Sequence, residues 1–181
     1  ELCTFPLRSL GKQVPGGDLE VALRETFHRI DDRLRDPRNL AELKSLTNPS
    51  ARNPSPHTAA LNERPVDPRM VGCTACVCSV SEHQLVVANA GDSRAVLCRG
   101  GLAVGLSEDH KPNSYIEKSR IEAAGGYVEN TAPGQFRVNG NLNLSRALGD
   151  LEYKKDSTLP PEKQIICATP DVTFFDRDAK D

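Results

Sequence analysis

Asp92 stands between Gly91 and Ser93, in a tight turn joining two apolar runs, Gln84–Ala90 and Arg94–Cys98. A carboxylate presented on a turn suits a hard cation such as magnesium or manganese, which takes carboxylate oxygens and water. A Gly-Asp pair in a hairpin is also ordinary turn chemistry, and spacing alone leaves both readings open. Arg137 lies between Phe136 and Val138 in an alternating run. Its guanidinium fork matches a phosphate or a carboxylate; the alternative is a solvated charge on a strand edge. Asp150 closes the segment Leu144–Asp150, with Arg146 four residues upstream. The two read as a loop-closing acid and its paired arginine. Asp109-His110-Lys111-Pro112 reads as a tight turn, with His110 structural rather than a general acid. No residue is assigned a catalytic role.

The thiols are the other candidates for chemistry. Six cysteines are present: Cys3, Cys73, Cys76, Cys78, Cys98 and Cys167. Cys73 and Cys76 form a C-x-x-C spacing, which can mark zinc or a redox pair. Thr74–Val80 reads as a strand, however, and strand side chains alternate faces. Cys76 and Cys78 then share one face and Cys73 points to the other. With no second C-x-x-C, the thiols read as buried small hydrophobes that hold no metal and form no disulfide with one another. That usage fits a reduced cytoplasmic or nuclear setting.

The elements that must position these side chains follow from hydrophobic spacing. Residues 1–17 are irregular, with Pro6, Pro15, Gly16 and Gly17. Leu19, Leu23, Phe27, Ile30 and Leu34 then recur at helical intervals, with Asp18 as N-cap and Pro37 as the stop. The polar face of this helix carries Arg24, Glu25, His28 and Asp31 and reads as solvated. Residues 36–70 hold six prolines with Asn, Arg and Ser between them. They read as a loop or insertion with one helical turn at Ala41–Leu46. From Val71 the pattern is β: Thr74–Val80, Gln84–Ala90, Arg94–Cys98, a Gly100-Gly101 hairpin turn, Leu102–Leu106, Tyr127–Glu129, Arg137–Leu144, Ile165–Ala168 and Val172–Phe175. Ser114-Tyr115-Ile116-Glu117 matches a capping box opening a helix that stops at Gly125-Gly126. Short runs and tight turns favour antiparallel sheets.

Bulk properties exclude several classes. A net charge of −2 gives no electrostatic case for nucleic acid. With aromatics at 4% and no Trp, base-stacking platforms are not expected. No apolar run reaches the length of a membrane helix and no signal peptide is visible. The chain reads as soluble, with neither nucleic acid nor membrane as partner, and begins at Glu1 rather than Met.

The order of these blocks resembles the metal-dependent serine/threonine protein phosphatases of type 2C. The resemblance runs from Val71 to about Val172: GCTA, AGDSR, EDHKP, RVNG, LSRALGD and TPDV. It reaches back weakly to the helix Leu19–Leu34. LNLSRALGD, EYK and LPPEKQII are closest to the gamma-like subgroup, which also carries an insertion where this chain has residues 36–70. The resemblance implies an α+β fold, an α-β-β-α sandwich of two antiparallel sheets flanked by helices. It implies that residues 1–181 form part of such a domain. The AGDSR block implies that Asp92 binds an accessory metal, magnesium or manganese, and the RVNG block that Arg137 meets the incoming phosphoprotein. In the family, two metal ions activate a water that attacks the phosphomonoester. Their ligands come from a Glu-Asp pair, Asp-Gly-His-Gly-Gly, and later Asp-Gly and Asp-Asn motifs. None of these occurs here; Gly17-Asp18, Gly91-Asp92 and Gly149-Asp150 run in the reverse order. The expectation is the middle of a phosphatase domain, inactive alone. The alternative is a non-catalytic phosphatase-like binding or regulatory module.

Overall fold

The computed structural model describes residues 16–47, 67–178 and 181. The chain enters through α1 (Gly16–Arg35). The helix starts two residues before Asp18, which lies in its first turn rather than at its cap. Arg33 and Arg35 occupy its last turn, where cations favour the helix dipole. Asp36-Pro37 ends it, because the residue before proline is pushed out of the helical region. A one-turn 3₁₀ helix (Pro37–Asn39) leads into α2 (Leu40–Thr47). The rest of the proline-rich stretch lies outside the described residues up to Asp67, after which Pro68–Met70 forms another 3₁₀ turn.

The centre is a three-stranded antiparallel sheet. Its order is β2 (Ala75–Val80), β3 (Gln84–Ala90) and β9 (Asp171–Asp176). β3 is central, so its Leu-Val-Val-Ala-Asn-Ala run is buried on both faces. Ala88 and Ala90 face α1, packing with Phe27 and, around them, Leu23, Ala75, Leu148 and Val172. Burial of the Phe27 ring contributes about 2–3 kcal/mol. Leu85 and Val87 face the other way, toward Leu106 and the hairpin of β4 (Val96–Arg99) and β5 (Leu102–Gly105). That hairpin closes through Gly100 and Gly101, both at positive φ (58° and 81°), as the favoured two-residue turn requires.

A second cluster is built around α3 (Tyr115–Ala123). Ile121 packs with Val138, Ala147 and Ile166, over the hairpin of β6 (Val128–Ala132) and β7 (Gln135–Val138). A two-residue pair, β1 (Gly72–Cys73) with β8 (Leu148–Gly149), ties the start of the sheet to the segment ending in Asp150. The class is α+β, and every ladder between the named strands is antiparallel.

Two expected strands differ. The run Arg137–Leu144 breaks after Val138, because Asn139 and Gly140 take positive φ (49° and 71°) and turn Leu142 back onto Val138. Ile165–Ala168 bends at Ile165 and Ile166, is buried from Ile166 onward and joins no ladder; it meets the chain at a lone parallel bridge between Arg146 and Cys167. The cysteines differ as well. Cys73, Cys76, Cys78 and Cys98 are exposed and Cys167 is buried, while Cys3 lies outside the described residues. Cys76 and Cys78 do share a face of β2, opposite Asn89 and Val87. They are exposed because β2 is an edge strand with no further neighbour among the described residues. Among those residues, no helix is long and apolar enough to cross a membrane.

Candidate functional site

Asp92 follows β3 through Gly91, whose φ of 117° is open only to glycine. Space imposes the same choice, since a Cβ there would lie 2.5 Å from Thr74 Cγ2. The Thr74 and Ser93 hydroxyls meet at 2.7 Å and close the turn. His110 holds both backbone groups of Gly91: its own N–H donates to Gly91 O at 3.0 Å, and its Nδ1 accepts from Gly91 N at 3.1 Å. Asn89 Nδ2 also donates to Gly91 O, at 3.2 Å, and to Glu108 O at 2.9 Å. This leaves Asn89 Oδ1 buried without a partner among the described residues.

The Asp92 carboxylate sits at the rim of this turn and accepts from Lys111 Nζ at 2.6 Å. Lys111 Nζ is 3.9 Å from Asp109 Oδ2, and Asp109 Oδ1 takes Arg94 Nε at 2.9 Å. The result is a surface chain of alternating charge. Among the described residues, no group of three or more His, Cys, Asp or Glu side chains is placed to hold a metal ion. Asp92 offers one hard donor, and these residues do not complete a cation site around it.

Beneath the turn lies an ionic network, buried at His110, Glu117 and Arg146 and open to solvent at Asp171, that sequence reading did not find. His110 Nε2 meets Asp171 Oδ2 at 3.1 Å, and Asp171 Oδ1 accepts from Arg146 Nη1 at 2.7 Å. Arg146 also grips Glu117 with Nε and Nη2, the latter at 2.6 Å. Arg120 Nη1 approaches Glu117 from the other side at 2.6 Å. Ser145 Oγ lies 2.6 Å from Glu117 Oε2 and 2.9 Å from His110 O, and its single proton serves one of them at a time. Burial pushes the Glu117 carboxyl up, but Arg146, Arg120 and Ser145 outweigh it and bring the value down to about 2. The His110 hydrogen bond, with Arg146 beside it, holds Asp171 well below the usual carboxylate range in spite of partial burial.

This overturns the capping-box assignment. Ser114 is the N-cap residue of α3 but makes no side-chain cap bond, and Glu117 is turned inward to the arginines. It also overturns the Asp150–Arg146 pair, since Arg146 is fully engaged elsewhere. Asp150 is buried in the left-handed conformation (φ 49°) and packs its carboxyl against Gly72, where a Cβ would come within 2.2 Å of Oδ2. Burial raises its pKa, with Lys154 opposing and Asp31 adding. The polar face of α1 is solvated only in part: Glu25 is exposed, while the other three side chains dock. Asp31 is buried against Lys154 Nζ and accepts from Gly149 N at 2.8 Å, His28 Nε2 meets Thr169 Oγ1 at 3.0 Å, and Arg24 donates to Pro170 O at 2.7 Å.

Arg137 is half-buried on β7 and donates to Asn141 O at 2.6 Å; Asn141 Nδ2 in turn donates to the Tyr153 hydroxyl at 3.0 Å. It makes no ion pair among the described residues, and no hydrogen bond joins it to Asp92 or its partners. A groove of about 1280 Å³ lies elsewhere, between the end of α1, α2 and the segment from Leu151 to Gln164, and neither Asp92 nor Arg137 lines it.

A sequence model described as Protein phosphatase 2C matches residues 8–181. The chain belongs to the protein phosphatase 2C family. It is similar to a probable protein phosphatase 2C of Paramecium tetraurelia, 49% identical over 153 residues that cover 84% of this chain and 44% of that protein. A solved sex determining protein of C. elegans shares the fold with a TM-score of 0.64 at 24% identity, over 97% of this chain and 35% of that one. A serine-threonine phosphatase 2C of Toxoplasma gondii does so with a TM-score of 0.50 at 20% identity, over 94% of this chain and 52% of that one. The chain thus spans about half the length of the curated relatives it matches. Within the family, the AGDSR block falls on the end of β3 and its turn, and SRALGD on the segment that supplies Ser145, Arg146 and β8.

Proposed function

We propose that this chain is the central segment of a metal-dependent protein serine/threonine phosphatase acting on phosphoserine and phosphothreonine in protein substrates. Residues 1–181 belong to one such domain, with 36–70 as its insertion, and the subgroup is gamma-like. Asp92 contributes one carboxylate to a magnesium or manganese site completed by residues other than those described, and Arg137 meets the phosphoprotein. The chain alone is inactive, and the parent works in the cytoplasm or nucleus. The observation that supports this reading is the family match over residues 8–181, with Asp92 on a turn whose backbone is held from both sides.

The test compares phosphate release from a small aryl phosphate, across manganese concentrations, for this chain and for the complete reading frame. The expected result is turnover by the complete protein and none by the chain. In the complete protein, Asp92→Ala lowers turnover and raises the manganese requirement, at a stability loss on the order of 1 kcal/mol or less. An unchanged manganese dependence returns Asp92 to plain turn chemistry. Robust turnover by the chain places the catalytic carboxylates within it and overturns the reading of an inactive segment. A complete protein without turnover favours the binding or regulatory module.

A further inference from the structure

His110 is the residue through which the ionic network reaches the turn of Asp92. It is almost wholly buried, with about 4% of its surface exposed. It engages both the N–H and the C=O of Gly91, the residue directly before Asp92. The two peptide units that flank the Gly91 Cα are thus each held at one polar group, which restrains rotation about that Cα, and the next Cα–Cβ bond inherits its direction. The ring itself is fixed by its other nitrogen, which meets Asp171, and Asp171 is fixed by Arg146 on Glu117. The main chain adds a second tie, because His110 O accepts from Ser145 N at 3.1 Å.

The hydrogen-bond directions define the tautomer. Gly91 N–H donates to Nδ1, so Nδ1 carries a lone pair. The ring proton then lies on Nε2 and is donated to Asp171 Oδ2. The opposite tautomer would set two N–H groups against each other at Gly91 and leave Nε2 with no proton for a carboxylate.

We propose that His110 is a positioning residue: as the Nε2–H tautomer fixed by Asp171, it sets the direction of the Asp92 carboxylate through the two backbone groups of Gly91. Its weight in catalysis rests on the reading of Asp92 as a cation ligand. The clamp itself does not, and it is measured without metal.

The first measurement uses the unmodified 181-residue chain, labelled with ¹⁵N at histidine. A long-range proton–nitrogen correlation at neutral pH is expected to show His110 with a lone-pair Nδ1 and a protonated Nε2. The signal that disappears in His110→Gln assigns it among the four histidines. A proton on Nδ1 overturns the proposal and needs no variant to fold. The second measurement follows exchange of the Gly91 amide. In His110→Asn the side-chain oxygen takes the place of Nδ1, so the acceptor is kept and the reach to Asp171 is lost. In His110→Gln the reach is kept and the acceptor is lost. The Gly91 amide is expected to exchange about tenfold faster in His110→Gln, the loss of one hydrogen bond, and to be rescued in His110→Asn. Equal exchange in the two variants overturns the proposal and leaves His110 as packing. In the complete protein the same pair separates the two readings. If the tautomer and the amide behave as expected while Asp92→Ala leaves the manganese requirement unchanged, the clamp stands and the ligand reading falls.

Discussion

Glu117 is a buried acid whose charge is kept by its neighbours, and its energetics differ from those of Asp92 for that reason. Asp92 holds one lysine at the surface, a kind of pair worth about 1 kcal/mol or less. Glu117 is 2% exposed and faces two arginines. Glu117→Gln strips Arg120 of its carboxylate and leaves Arg146 with Asp171 alone, and the expected cost is about 3–5 kcal/mol, read as a shift in the urea midpoint. The pH dependence follows. The folded carboxyl titrates at about 2 against an ordinary 4.5, so the unfolded chain takes up the proton first as pH falls. The stabilisation is complete above the ordinary value and is lost as pH drops from about 4.5 to about 2, by on the order of 3 kcal/mol. Urea titrations through that window check it, and Glu117→Gln flattens the slope. At this scale the sequence was half legible. The S-x-x-E spacing located the start of α3, but it assigned the acid to a local cap. Of its two arginine partners, Arg120 is three positions on but Arg146 is 29 positions away, and no local pattern announces a contact at that range.

Turns behave as the residue types foretold, while edges and the burial of whole elements do not. Gly91 and Gly101 both sit at positive φ, and a methyl at Gly101 meets nothing within 4 Å. Gly101→Ala therefore costs only the backbone term, about 1–2 kcal/mol. Gly91→Ala adds a 2.5 Å approach to Thr74 and is expected to cost clearly more; thermal unfolding of the two variants side by side tests the order. β2 is a different case. Its outer edge has no partner among the described residues and it exposes Val77, Val80, Cys76 and Cys78. Such an edge invites pairing between chains. The isolated chain is expected to self-associate with rising concentration in sedimentation velocity. Val77→Lys should suppress this while moving stability by about 0.5 kcal/mol or less. The alternation of β2 was legible down to which cysteines share a face. Their exposure was not, because a strand's own sequence does not say whether it lies at the centre or the rim. Ile165–Ala168 shows the converse: apolar composition announced burial, yet the segment is satisfied by a loop rather than by a ladder.

Across the whole molecule, ion pairs join what the apolar clusters leave separate. α1 is fastened to the 147–154 segment by Asp31, which meets Lys154 and Gly149 N, while Lys154 Nζ also donates to Ala147 O at 2.8 Å. Asp31→Ala strands a buried lysine and is expected to cost about 3–5 kcal/mol, whereas Asp31→Leu with Lys154→Met should recover most of that. A double-mutant comparison of urea midpoints decides it. The sequence showed α1 and its apolar stripe. It could not show that the neighbouring polar face also docks, since the lysine that receives it lies 123 positions downstream. Fold class was legible because periodicity is local; assembly was not, because the joints are long-range. The pairing of β3 with β9 has the same character, and its consequence appears during synthesis. About eighty residues separate the end of β3 from the start of β9. At about 5–20 residues per second, the central strand waits about 4–16 s on the ribosome before its second neighbour exists. Throughout that interval its most apolar backbone edge is open to other nascent chains, so the yield of folded protein depends on how long translation holds it there.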